Sequence, residues 1–330
     1  LMKKCCFIIP YFGKLPNYFQ LFLNSCRYNQ DFNWLIFTDD KTFYNYPENV
    51  QKVEMAFDEC KNLIQGKFDF KICLDRPYKL CDIKPMYGYV FSDYLTDFQF
   101  WGHCDIDTLM GHLSNFITQK MLDSYDKLFC LGHMILYKNT VENNTLFMRK
   151  YKGRFIYKDV LQTPNIYVFD EENKGDININ RMFLDFGKKV LVQDFSMNII
   201  KFIHRFVRVR YTGIKTPSAR FGFHKESFKD ALYIWNKNGV FRYFFNSNKI
   251  LVKEEFLYIH LQERKMLMED NVDKCDSLVI APNKFYKLKF GEISKANFSK
   301  IRRKGPFMQY VKTTKYYELL MKVYNMMKNL

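Results

Sequence analysis

Apolar residues along this chain gather in short runs broken by polar turns, and their spacing alternates between strand and helix periods. Residues 5–9 (Cys-Cys-Phe-Ile-Ile) form an apolar run that stops at Pro10. It reads as a buried strand feeding a loop. Residues 16–29 open at a proline and carry Tyr18, Phe19, Leu21, Phe22, Leu23 and Cys26 at helical spacing. Residues 34–37 (Trp-Leu-Ile-Phe) give a second buried strand, ended by Thr38-Asp39-Asp40, and residues 51–56 are a candidate third. This strand–helix–strand order predicts a mostly parallel sheet with crossover helices. Residues 82–95 read as a helix, and 97–104 as a strand that delivers Asp105 and Asp107 at its C-terminal end. In open α/β sheets ligands bind at that end of the strands. Residues 128–137 read as a further strand pair.

Composition narrows the class. The 330 residues are 48% hydrophobic and 18% aromatic, which excludes a disordered chain. No apolar run approaches the ~20 residues of a membrane span. Two lysines precede the first apolar stretch, as in a leader, but Pro10, Tyr11 and Gly13 interrupt it and a buried strand is expected instead. The nine cysteines include no C-x-x-C pair, so reduced thiols in a cytoplasmic protein are expected rather than a disulfide framework or zinc ribbon. Zinc held by His103, Cys104 and His112 is disfavoured by the adjacent 103–104 spacing.

Charge is uneven. Residues 1–200 hold 24 Lys/Arg and 24 Asp/Glu, whereas 201–330 hold 27 and 11, which accounts for the whole +16. The second part is therefore expected to face something anionic. Basic residues between 201 and 225 (Lys201, His204, Arg205, Arg208, Arg210, Lys215, Arg220, Lys225) alternate with aromatics, a pattern that suits phosphates, lipid headgroups or nucleic acid. Residues 314–330 have the spacing of an amphipathic helix, which can dock on the protein's own core or lie on an anionic membrane.

The chemistry centres on Asp105-Ile106-Asp107. Two carboxylates at a strand end suit a hard divalent cation such as Mn²⁺ or Mg²⁺, which also takes substrate phosphates. The run Trp101-Gly102-His103-Cys104-Asp105-Ile106-Asp107 resembles the DxD segment of GT-A glycosyltransferases. Upstream, Cys81-Asp82-Ile83-Lys84-Pro85-Met86-Tyr87-Gly88 resembles the block just before it. With Ile9-Pro10-Tyr11-Phe12-Gly13, the chain resembles an uncharacterised bacterial family found among capsule and surface-glycan synthesis genes, over most of residues 4–265.

That resemblance implies a Rossmann-like GT-A domain over 1–265, with a nucleotide-sugar half (1–125), an acceptor half (126–265) and a basic helical extension (266–330). It implies that Pro10, Tyr11 and Gly13 cradle the nucleotide. Asp39 or Asp40 would contact base or ribose, and Lys84 would reach ribose or phosphate. Read locally, Asp39 and Asp40 could equally cap a helix, and Asp82 could be the N-cap of its own helix with Lys84 a surface charge. Tyr258-Ile259-His260-Leu261-Gln262-Glu263-Arg264-Lys265 is similar to the segment that completes the metal site in glycogenin-like enzymes, but lacks the usual glycine and the Lys-Pro-Trp sequence. It implies His260 as third ligand, with Arg264 and Lys265 on the diphosphate. His133 is the candidate for an acceptor hydroxyl. Asp170 and Glu171 are the candidates for the base that an inverting enzyme needs and a retaining one does not.

The expected function is transfer of a sugar from a nucleoside-diphosphate sugar to a lipid-linked surface or capsular glycan, in the cytoplasm or at the inner membrane face. The alternatives are a metal-dependent nuclease or phosphoryl-transfer enzyme, and a non-catalytic nucleic-acid- or membrane-binding protein.

Overall fold

The computed structural model describes residues 3–172, 177–200, 205–213, 222–228 and 230–302. Strands β1 (Lys3–Pro10), β2 (Phe32–Thr38), β3 (Val50–Glu54) and β4 (Phe98–Cys104) pair in parallel in the spatial order β3-β2-β1-β4. Helix α1 (Phe19–Arg27) makes the first crossover and α2 (Phe57–Gln65) follows β3. Buried on both faces, β1 and β2 read in sequence as continuous apolar runs rather than alternating ones. After the short β5 (Thr108–Met110), the hairpin of β6 (Lys127–Leu131) and β7 (Met134–Lys138) extends the sheet, with β7 antiparallel to β4. Strand β8 (Val190–Leu191) closes the seven-stranded sheet at its far edge. The result is the expected mixed, mostly parallel sheet flanked by helices.

The stretch expected as one helix over 82–95 is a succession of short pieces: a 3₁₀ segment Pro77–Met86, one α-turn Tyr87–Val90 and a 3₁₀ turn Ser92–Tyr94. Pro85 lies inside the first piece, where it cannot donate to a regular α-ladder.

A small three-stranded sheet holds the candidate residue His260. Strand β15 (Tyr258–His260) lies between β5, antiparallel, and β9 (Met197–Asn198), parallel. Between β9 and β15 the chain forms a hairpin of β10 (Arg208–Tyr211) with β11 (Phe223–Glu226), then β12 (Leu232–Asn236), β13 (Gly239–Phe245) and β14 (Leu251–Phe256). Strands β16 (Leu267–Met268), β17 (Ser277–Ala281) and β18 (Lys284–Lys287) complete a six-stranded sheet in which β17 pairs with β12. A boundary at 265 therefore cuts through one sheet, and the described part of the expected helical extension contributes three strands to it and carries only one short α-helix, Phe298–Ile301. Trp235, Val240, Ile259, Leu278 and Phe285 pack with Tyr18 and Leu21 of the first crossover in one apolar cluster. The expected helix over 314–330 lies outside the described residues.

The described part of the basic stretch spends much of its charge internally. Arg208 donates to the Ser196 carbonyl at 2.8 Å and to Glu226 at 3.3 Å. Arg210 lies 3.6 Å from the same carboxylate. Lys201, His204, Lys215 and Arg220 lie outside the described residues.

Candidate active site

Asp105 follows the last residue of β4, and its amide donates to the His133 carbonyl at 3.1 Å, prolonging the β4–β7 ladder by one bond. Asp107 precedes β5, and its carbonyl accepts from the Leu261 amide at 2.9 Å. That bond joins Asp107 to the end of β15. Tyr258 and His260 are two apart on β15 and so share a face.

Asp105, Asp107 and His260 each offer one ligand atom, all within 4.8 Å of one another. His260 Nε2 lies 3.3 Å from Asp107 Oδ1 and 3.7 Å from Asp105 Oδ2. In an octahedral Mg²⁺ or Mn²⁺ site with bonds of ~2.1 Å, neighbouring ligands stand about 3 Å apart. The other oxygen of each carboxylate is already engaged. Lys84 Nζ donates to Asp105 Oδ1 at 2.7 Å, and the Glu263 amide donates to Asp107 Oδ2. Each aspartate can therefore offer one oxygen, and the set fits a hard divalent cation with coordination positions left for substrate. Burial pushes Asp107 up, but His260 and the Glu263 amide outweigh it and hold the carboxyl below its ordinary range. Burial pulls His260 down, and the Asp107 carboxylate reverses this and raises it.

The turn after His260 is strained. Gln262 and Glu263 have φ of 51° and 52°, the left-handed region that glycine enters most easily. This chain adopts that conformation here with two side-chain-bearing residues. The bond from the Glu263 amide to Asp107 helps hold it.

A cavity of about 1130 Å³ opens over the three ligand atoms. Of the residues singled out in the sequence, Pro10, Tyr11, Lys84, His133, Asp170, Glu171, Arg264 and Lys265 line it. Three expected residues do not. Gly13 (φ 94°) makes the turn after β1, its amide donating to Asp39 Oδ1 at 2.7 Å. Asp40 accepts from the Leu15 and Thr42 amides at 2.8 and 2.7 Å. Asp39 and Asp40 thus tie down the loop after β1, and neither borders the cavity.

Two further positions need correction. Lys84 is committed to protein: besides Asp105 it donates to the Gly132 carbonyl at 2.9 Å and lies 3.6 Å from Asp170 Oδ2. Burial opposes its charge, but Asp105 and Asp170 hold it protonated, well above the usual lysine range. Arg264 is 1% exposed and bonds Asn283 Oδ1 at 2.8 Å and the Ile200 carbonyl. It braces the wall of the cavity rather than extending into it.

The opposite wall is acidic. Burial raises Asp170 to about 7, with Lys84 pulling the other way and Glu171 and Asp105 adding to the rise. Glu171 is raised in the same sense. A Cβ on Gly132 would stand 2.6 Å from Asp170 Oδ2, so this close approach requires glycine. The wall is anchored from below by Asp82, which is fully buried and is not a helix cap. Asp82 pairs with the buried Lys79 at 2.8 Å and accepts from the Tyr167 and Phe169 amides at 2.8 and 3.2 Å. Burial, followed by His260 and Lys84, holds His133 well below the usual histidine range, so its ring is neutral. Its Nδ1 lies 2.6 Å from the Tyr258 hydroxyl, and its ring centroid lies 4.4 Å from that of His260, the planes tilted by 32°.

The model of one protein family matches residues 7–289. The chain belongs to the family of unknown function DUF6625. No match was found among curated proteins. Among solved structures, this DUF6625 chain is similar to a galactosyltransferase LgtC in complex with donor and acceptor sugar analogues. The two are 10% identical with a TM-score of 0.34, over 58% of this chain and 75% of that one. An active-site mutant of LgtC is also 10% identical, with a TM-score of 0.33 over the same shares. Overlap this low carries no functional weight, which rests instead on the residues of the cavity.

Proposed function

We propose that this DUF6625 protein is a metal-dependent glycosyltransferase of the GT-A type. It would move a sugar from a nucleoside-diphosphate sugar to a surface or capsular glycan, on a lipid carrier at the inner membrane face. The observation that carries the reading is the convergence of Asp105, Asp107 and His260 at the carboxyl end of β4, beneath a large cavity with a second, acidic wall. No helix among the described residues is long and apolar enough to cross a membrane.

The residues divide the work. Asp105, Asp107 and His260 would hold Mn²⁺ or Mg²⁺, which when bound neutralises the diphosphate leaving group. Pro10, Tyr11 and Lys265 border the space for the donor. His133, neutral and held by Tyr258, faces the acceptor as a hydrogen-bonding group. Asp170, raised to about 7, is poised to take the acceptor's proton near neutral pH, with Glu171 beside it. A two-metal nuclease would need a second ligand group, and Asp105-Asp107-His260 is the only one among the described residues.

A thermal-shift screen of nucleoside diphosphates and their sugars, with and without Mn²⁺, tests this. One nucleotide is expected to raise Tm only with Mn²⁺, and Asp107→Ala to abolish the rise. A folded protein that answers no nucleotide defeats the donor-site reading.

A further inference from the structure

The far side of the His260 ring carries information that the metal ligands themselves do not. His260 Nδ1 lies 3.0 Å from Asn198 Oδ1, and Gln262 Nε2 donates to that same oxygen at 3.1 Å. An amide oxygen only accepts, so Nδ1 must carry a proton. In a neutral imidazole this leaves the lone pair on Nε2, the nitrogen that faces Asp105 and Asp107. The opposite tautomer would aim an N–H at any cation held there. Asn198 and His260 sit directly opposite each other in the parallel β9–β15 pair, and both are 7% exposed. Water competes little for this bond.

We infer that Asn198 is a positioning residue for a divalent cation: it fixes His260 as the Nδ1–H tautomer and directs Nε2 at the two aspartates. The inference rests on the metal reading above. Lys84 and the Glu263 amide do the corresponding work for the two carboxylates, each occupying one oxygen and leaving the other for the ion. Partners behind a metal ligand set its orientation and basicity, and their loss commonly weakens the metal 10–100-fold. Asn198 also touches the strained turn through Gln262, so a purely structural role is the competing account. That role predicts lower stability with unchanged nitrogen ligation of the metal.

The test is Mn²⁺ titration of the whole protein at about pH 8, where free imidazole is neutral. Free ion is read by electron paramagnetic resonance, and pulsed measurements on ¹⁵N-histidine-labelled protein read the coupling of one imidazole nitrogen to bound Mn²⁺. Asn198→Leu keeps the side-chain size and removes the acceptor. It is expected to bind Mn²⁺ about 10–100-fold more weakly, with the coupling reduced. Asn198→Asp keeps an acceptor and is expected to keep both affinity and coupling. An Asn198→Leu protein that binds as wild type does, coupling intact, overturns the inference. If Asn198→Leu does not fold, Asn198→Ala, which also removes the acceptor, decides on the same readouts: a reduced coupling supports the role and an intact one overturns it. A folded wild type that binds no Mn²⁺ defeats the metal reading itself, and the role of Asn198 with it.

Discussion

The two walls of the cavity are built on different plans. The proposed metal corner hangs on strands: Asp105 follows β4, Asp107 precedes β5, and His260 closes β15 between β5 and β9. Its side chains are set by backbone ladders. The acidic wall has no strand of its own. Asp170 and Glu171 sit in irregular chain pinned by Asp82 beneath and Gly132 in front. A site held by ladders should lose its ion yet keep its fold when a ligand is removed. A site held by one buried ion pair should lose its shape when the pair is broken.

The largest effect should come from Asp107→Ala. It removes a ligand oxygen and the acceptor of the Glu263 amide together. Removal of an outer partner costs 10–100-fold, so loss of a ligand should cost more than about a hundredfold in Mn²⁺ affinity. Calorimetric titration measures it, and urea unfolding should show a loss of about 1–3 kcal/mol from the orphaned Glu263 amide, smaller than on the other wall. On the other wall, Asp82→Ala takes the carboxylate from buried Lys79, leaving it only the Asn165 carbonyl, and frees the 167–169 backbone. We expect a loss of about 3–5 kcal/mol in urea unfolding. The double variant Lys79→Met/Asp82→Leu should recover the part due to the broken ion pair, because apolar residues of similar size often replace a buried pair without cost, but not the part due to the Tyr167 and Phe169 amides. Mn²⁺ affinity per folded molecule should change far less than stability. If Asp82→Ala instead empties the metal corner and spares stability, the contrast between the walls is wrong.

The same contrast explains what was legible in the sequence. The runs at 5–9 and 34–37 announce β1 and β2 because strands buried on both faces are apolar throughout. Asp105 and Asp107 are legible because a motif of adjacent residues at a strand end keeps its geometry. Asp82 was misread because local capping and a partner 85 residues away, Tyr167, leave the same residue in the sequence. Asn198 left no local signal at all: its role depends on a β9–β15 pairing 62 residues apart. The six-stranded sheet of 232–287 was hidden by charge. Its exposed lysines made a basic tail of what is partly a sheet, and Arg242, 2% exposed, pairs inward with Glu254 at 2.7 Å.

Gly132→Ala should give an intermediate effect. Its new methyl meets Asp170 Oδ2 at 2.6 Å and Glu171 Oε2 at 3.1 Å, so the carboxylates must move. Overpacking of this kind costs about 1–3 kcal/mol. Transfer activity should fall while Mn²⁺ affinity stays near wild type. Equal losses in both would mean that the walls move as one body.

The smallest effect is a slope with pH. In the folded protein burial raises Asp170 from 3.8 to about 7, so between these values the folded state keeps a proton that the unfolded chain has released. This group's contribution is therefore complete below about pH 4, is lost as pH rises, and is gone above about pH 7. One proton corresponds to about 1.4 kcal/mol per pH unit at most. Asp170→Asn removes the titration. The stability of wild type minus that of Asp170→Asn, from urea unfolding without metal, should fall with pH between about 5 and 6.5 and flatten above about 7. A difference that rises with pH would mean that Lys84 holds Asp170 ionised, and the acidic wall would then be a fixed charge rather than a group poised to accept a proton.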